Sequence, residues 1–213
     1  MNPDIGVPHR LSYEELEVSL EGFLSGWDRT QPLWVFGYGS LIWKPDLSFD
    51  LRSPARVHGY HRRLCLWSRI NRGTPQCPGL VAGLDRGGSC AGVVYRVPAV
   101  AVRSQFSQLW QREMMTNSYE PRTLECRLGD GSFVDAVAFV VRRDAPNYTG
   151  RLDEQRILEV FARGSYGRYG TSLDYLVNTI CALRTHGIVD PHLERLARRA
   201  GIDPATWRVA ASA

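Results

Sequence analysis

The amino-acid sequence predicts an α+β fold, a mixed and mostly antiparallel barrel-like sheet with helices packed on one side. Three observations lead there. Strand-length apolar runs separated by Gly- and Asp-containing turns fill the middle of the chain. The last third switches to helical periodicity. No internal repeat, low-complexity tract or linker interrupts the 213 residues, so strands and helices are expected to share one core.

In chain order, the residues to about Arg10 read as loose. Ser12-Tyr13-Glu14-Glu15 has the form of a capping box and opens a helix with Leu16, Leu20, Phe23 and Leu24 on one face, closed by Gly26 and Pro32. Leu33-Trp34-Val35-Phe36, stopped by Gly37, suits a short buried strand. Residues 56–68 and 80–84 read as extended, with Asp85-Arg86-Gly87-Gly88 as a hairpin turn into a strand over 91–97. Pro98 stands where a first-turn proline belongs, ahead of helical periodicity over 99–115. A second hairpin joins 124–128 to 133–141. Asp153 caps a helix to about Arg163, a Gly- and Tyr-rich turn covers 164–170, and helices over 173–183 and 191–200 follow. The expected division is an N-terminal helical extension over 1–30, a main domain over 31–190 and a helical tail over 191–213.

Composition excludes several classes. Hydrophobic residues make up 44% and charged residues 23%, an ordinary globular balance. The net charge is +4, and Lys44 is the single lysine among many scattered arginines. Without a clustered basic stripe or a reading motif, nucleic-acid binding is not expected. No apolar run approaches the roughly 20 residues of a membrane span. Five cysteines without C-x-x-C spacing, and no N-terminal apolar stretch, read as reduced thiols in a cytoplasmic protein. His58 and His61, three apart in a predicted strand, point to opposite faces, so no metal site is expected.

Three features can carry chemistry. Phe36-Gly37-Tyr38-Gly39-Ser40-Leu41 follows the apolar strand directly, and its glycines let backbone N–H groups approach a ligand. The same residues also suit a plain reversing turn. Glu113 falls on the helical stripe of Val102, Phe106 and Leu109, where an apolar residue belongs. Burial there would raise its pKa toward the range useful for proton transfer; a helix frayed after Trp110 would leave it in solvent instead. The third is the polar, proline-punctuated loop over 71–79, either a binding loop or a connector.

Together these features resemble the ChaC-type γ-glutamylcyclotransferases. The resemblance rests on Trp34-Val35-Phe36-Gly37-Tyr38-Gly39-Ser40-Leu41-Ile42-Trp43-Lys44, on Arg72-Gly73-Thr74-Pro75 with Pro78-Gly79, and on Arg112-Glu113. Asn147-Tyr148 with Gly150, and Asp174-Tyr175-Leu176, support it, so that it runs from about residue 33 to 185. Met114-Met115-Thr116-Asn117-Ser118-Tyr119 departs from the two glycines and tyrosine that some members carry after the glutamate.

The resemblance implies a γ-glutamyl cyclotransferase-like fold and cleavage of glutathione to 5-oxoproline and Cys-Gly. The substrate's own α-amine attacks its γ-carbonyl, so neither cofactor nor metal is implied. Glu113 would be the base that takes a proton and then returns one to the leaving nitrogen. Val35, Phe36, Gly37, Tyr38, Gly39, Ser40 and Leu41 would hold substrate and stabilise the oxyanion. Arg72 would meet a substrate carboxylate, and Tyr175 would line the pocket or belong to the core. The rival readings are a cyclotransferase for other γ-glutamyl amines, a thiol hydrolase using Cys77 or Cys65 with His58, and a non-catalytic metabolite binder.

Overall fold

Five strands close on themselves in the computed structural model, which describes residue 6 and residues 8–207; the remaining parts of the expected N-terminal extension and C-terminal tail lie outside the described residues. They are β1 (Leu33–Gly37), β2 (Leu51–Ser68), β3 (Gly79–Val97), β4 (Tyr119–Leu128) and β5 (Phe133–Val141), in the order β1-β3-β2-β4-β5. Neighbours are antiparallel except at the closure, where β1 runs parallel to β5 through Trp34↔Ala136 and Val35↔Val137. The mixed, mostly antiparallel barrel is therefore as expected.

Side chains alternate across each strand. Phe36, Val57, Leu84, Val94, Cys126, Ala136 and Ala138 fill the barrel interior. Their outward neighbours need cover, and two separate groups of helices supply it rather than one side alone. Helices α1 (Tyr13–Leu24) and α3 (Ala99–Glu113) pack Leu16, Leu20, Phe106 and Trp110 on Val35, Val137 and Phe139. Helices α4 (Glu154–Ala162), α5 (Ser172–Thr185) and α6 (Pro191–Arg199) pack on Leu64, Leu80, Val93 and Tyr95. A closed sheet turns its outer surface all the way round, so apolar positions on β1 and β5 cannot share a cover with those on β2 and β3.

Local signals set the helix starts. Ser12 Oγ accepts from the Glu15 N–H at 3.2 Å while Glu15 Oε2 accepts from the Ser12 N–H at 2.7 Å, the expected capping box. Asp153 accepts from the Arg156 N–H at 2.7 Å. A second capping box, Thr171 with Asp174, opens α5 two residues before the periodicity begins.

A second expectation also fails. Asp85–Gly88 is not a hairpin turn, because β3 runs unbroken from Gly79 to Val97 and pairs with β2 on both sides of it. Gly87 (φ 104°) and Gly88 (φ 69°) lie opposite Gly59 (φ 81°) at a register shift between His58 and Tyr60. Positive-φ glycines here make a bulge that bends the ribbon. The true turn of this hairpin is the loop over 69–78, which delivers Arg72 to the site.

Candidate active site

Glu113 ends α3, and the Met114 N–H caps the helix on the Trp110 carbonyl at 2.8 Å. Val102, Phe106 and Leu109, its partners on the stripe, are buried, and the Glu113 side chain is 14% exposed. The frayed-end alternative is thus excluded. Burial pushes the carboxyl pKa up, and the Arg112 guanidinium, 3.0 Å away, pulls it down only in part. A helix C-terminus adds its own bias against negative charge.

Three tyrosines share its surroundings. Burial raises the hydroxyl pKa values of Tyr38, Tyr119 and Tyr175, and proximity to Glu113 raises each further, Tyr175 to about 12. All three therefore remain O–H donors at neutral pH. Tyr38 donates to the Phe139 carbonyl at 2.7 Å.

The loop over 37–41 lies against this cluster. Neither Gly37 nor Gly39 has a positive φ; Gly39 sits at φ −136°, ψ −125°. Close approach is what Gly39 is needed for, since a Cβ there would stand 2.5 Å from the Tyr175 hydroxyl. Gly39, Ser40 and Leu41 lead into the one-turn helix α2 (Ser40–Trp43), whose first N–H groups have no acceptor within the helix. Ser40 Oγ accepts from Arg112 Nη2 at 3.0 Å, leaving its own O–H to donate. Arg112 also donates to the Lys44 carbonyl at 2.6 Å and to Asp46 at 3.1 Å, so one guanidinium ties the loop to Glu113. Val35 and Phe36 are different. Their side chains are fully buried on opposite faces of β1, one under α1 and α3 and the other inside the barrel.

Arg72 is buried, its guanidinium 5.5 Å from the ring centroids of both Trp43 and Tyr175. Nη1 donates to the Tyr169 and Thr171 carbonyls, pinning the small hairpin of β6 (Tyr166–Gly167) and β7 (Gly170–Thr171). Tyr175 combines both offered readings, packing in the α5 core while its hydroxyl meets Gly39. At the departing segment, Asn117 takes a left-handed φ of 49°, a conformation Asn tolerates, and Tyr119 starts β4 beside Glu113. A groove lined by Met114, Asn117, Tyr119, Arg142 and Arg143 adjoins this wall, but Glu113, Gly39 and Tyr175 do not line it.

Cys65 is placed unfavourably for nucleophilic work. Burial pushes the Cys65 pKa up to about 11. His58 is seven residues away along the same strand, on the order of 20 Å. Among the described residues no three or more His, Cys, Asp or Glu side chains group as metal ligands would. No helix among them is long and apolar enough to cross a membrane.

Sequence reasoning missed Arg62 and Asp190. Arg62 stands two residues before Leu64 on β2, at a buried position, and donates to the Tyr38 carbonyl. Burial along β2 does not alternate cleanly around Arg62, so its position carried no periodic signal of the kind that marked Glu113.

Comparison with known proteins bears on the family and the fold. The family model described as ChaC-like protein matches residues 33–201. The glutathione-specific γ-glutamylcyclotransferase of Escherichia coli (strain K12) is 35% identical over 185 residues, 87% of this chain and 80% of that protein. The glutathione-specific γ-glutamylcyclotransferase 1 of Homo sapiens is 30% identical over 178 residues, 80% of this chain and 79% of that one. A crystal structure of the γ-glutamyl cyclotransferase specific to glutathione from yeast superposes with a TM-score of 0.73 at 24% identity, covering 84% of this chain and 97% of that one, a likeness of fold.

Proposed function

The chain belongs to the ChaC-like family, and on that premise we propose that it cleaves glutathione by intramolecular cyclisation, releasing 5-oxoproline and Cys-Gly. The observation that carries the reading is Glu113, a buried carboxyl with a raised pKa beside a glycine loop and three neutral tyrosines. In this reaction the nucleophile comes from the substrate. The protein must fold the γ-glutamyl group so that amine and carbonyl meet, which is worth roughly 7–11 kcal/mol. It must also move two protons. Glu113 takes one from the α-ammonium, so that the amine lone pair forms the new C–N bond. It then gives one to the departing amide nitrogen as the old C–N bond breaks, and the ring nitrogen's remaining extra proton passes to the released amine. A raised pKa suits both steps, because the acid and base forms lie closer in energy at neutral pH.

Negative charge gathers on the γ-carbonyl oxygen between those steps. The N–H groups of residues 39–41 and the Ser40 hydroxyl are the donors assigned to it. Val35 and Phe36 serve by anchoring the loop from its two buried faces, and Tyr175 lines the pocket against Gly39. Nη1 of Arg72 is engaged with backbone carbonyls, so a substrate carboxylate meets the guanidinium's other edge. Glutathione is the small-molecule partner, with neither nucleic acid nor membrane. Five free cysteines support a cytoplasmic setting.

Purified protein incubated with glutathione, without added metal, is expected to release 5-oxoproline stoichiometrically with Cys-Gly. γ-Glutamyl dipeptides run in parallel should turn over more slowly. Equal or faster turnover of the dipeptides would assign the protein to other γ-glutamyl amines, and binding without product would leave it a metabolite binder.

A further inference from the structure

We propose that Arg62 is a positioning residue for this reaction, fixing the Tyr38–Gly39 peptide so that the Gly39 N–H faces the reacting carbonyl. The inference rests on the reading of the 37–41 loop as the substrate loop. The Arg62 side chain is 2% exposed, and its donors are used in three directions. Nε donates to the Tyr38 carbonyl, Nη2 to the Ala91 carbonyl at 2.5 Å and Nη1 to Asp190 Oδ2 at 2.5 Å. Asp190 is itself held, because Oδ1 accepts from the Leu193 N–H at 3.1 Å as the N-cap of α6. A planar guanidinium anchored at three points has one orientation.

The consequence for the loop follows from peptide geometry. The C=O and N–H of one trans peptide lie in a plane and point in opposite directions. Tyr38 C=O and Gly39 N–H belong to the same unit. A carbonyl pinned toward Arg62 therefore commits the Gly39 N–H to the other side of the loop. Gly39 has no Cβ to restrict its rotation, so this peptide most needs an external clamp. A buried charge is costly unless fully paired, and here the pairing runs from α6 through β2 to the loop.

Arg62→Lys tests it. Lysine keeps a charge for Asp190, but one ammonium cannot span the three acceptors. The expected result is a fall in kcat of about 10²-fold or more, as for loss of an oxyanion donor, with KM for glutathione within about threefold and a native circular-dichroism spectrum. Unchanged kcat in folded Arg62→Lys overturns the inference, and so does a loss carried wholly by KM. Should Arg62→Lys not fold, the wild-type protein decides: its Gly39 amide resonance should shift on saturation with 5-oxoproline, and an unmoved resonance overturns the proposal. Wild-type turnover beside normal Arg62→Lys turnover sinks the positioning role alone, whereas no wild-type turnover sinks the activity with it.

Discussion

Two buried carboxylates occupy the same barrel and settle on opposite sides of their ordinary pKa values. Asp85, on β3, is fully buried and receives Arg63 Nη2 at 2.7 Å, Arg143 Nε at 2.7 Å, the Tyr148 hydroxyl at 2.8 Å and the Arg86 N–H at 2.8 Å. Burial alone would push its carboxyl up, but Arg143, Tyr148, Arg86 and the charge of Arg63 outweigh it and hold the pKa below 3.8. Glu113 is slightly less buried and moves the other way, above 4.5. Its one cation, Arg112, is shared with Ser40, Lys44 and Asp46. Donor supply, rather than burial, separates the lowered carboxyl pKa from the raised one.

The largest break in this comparison is expected from Glu113→Gln. The amide keeps the shape but cannot accept and return a proton, so 5-oxoproline release should fall by about 10²–10⁴-fold or more. The melting temperature should hold or rise, since an amide is cheaper to bury than a carboxylate. The pH dependence has a definite sign. Between 4.5 and the raised value the folded state holds a proton that the unfolded state has released. The wild type therefore loses stability as pH rises through that window, and the melting-temperature advantage of the non-titrating Gln variant should widen there. A constant difference would show that Glu113 is not raised. Loss of folding together with activity would make it a structural partner.

Asp85→Asn should give the mirror image. Removing one partner of a buried pair costs roughly 3–5 kcal/mol, and the half-exposed Arg143 points to the lower end of that range. Denaturant melts should show this loss at neutral pH. It should shrink in acid, because a lowered pKa contributes stability above 3.8 that disappears as pH falls through the folded value. Turnover per folded molecule should stay within a few-fold; a Glu113-sized loss would merge the two carboxylates into one site.

A smaller effect is expected at the contact between loop and α5. Gly39→Ala places a methyl 2.5 Å from the Tyr175 hydroxyl and should lower kcat/KM for glutathione about tenfold. Removing that hydroxyl leaves the ring carbon at an ordinary 3.7 Å, so Gly39→Ala with Tyr175→Phe should do less harm than the two losses added. Strict additivity would mean that the glycine is needed for another reason. The smallest effect belongs to Cys77→Ala, which should leave turnover within a few-fold. Loss of several orders of magnitude would revive a thiol nucleophile.

Much of this was legible in the residues. Ser12 with Glu15, Asp153 and the 3.6-residue stripe of α3 are short-range signals, and each produced the element expected of it. A carboxylate at an apolar phase announced Glu113 for the same reason, since the stripe itself says which way the side chain points. The short strand and its Gly-Tyr-Gly continuation located the loop.

Other features needed the closed barrel. Asp85-Arg86-Gly87-Gly88 has turn composition, and only the pairing of β2 with β3 on both sides makes it a bulge beside a buried Asp85. The use of Gly39 was likewise set from a distance, by a tyrosine 136 residues later whose hydroxyl occupies the place of the missing Cβ. Arg62 looked like one of many scattered arginines until β2 brought it behind the Tyr38 carbonyl and α6 brought Asp190 to its other edge. Sequence by itself determined the capped helices and the odd charge on one of them, because period and capping act within a turn or two of the chain. Tertiary structure alone decided which charges are satisfied. Hydrogen-bond donors come from residues distant in sequence, and their number at a buried carboxylate fixes whether it stays ionised or carries a proton.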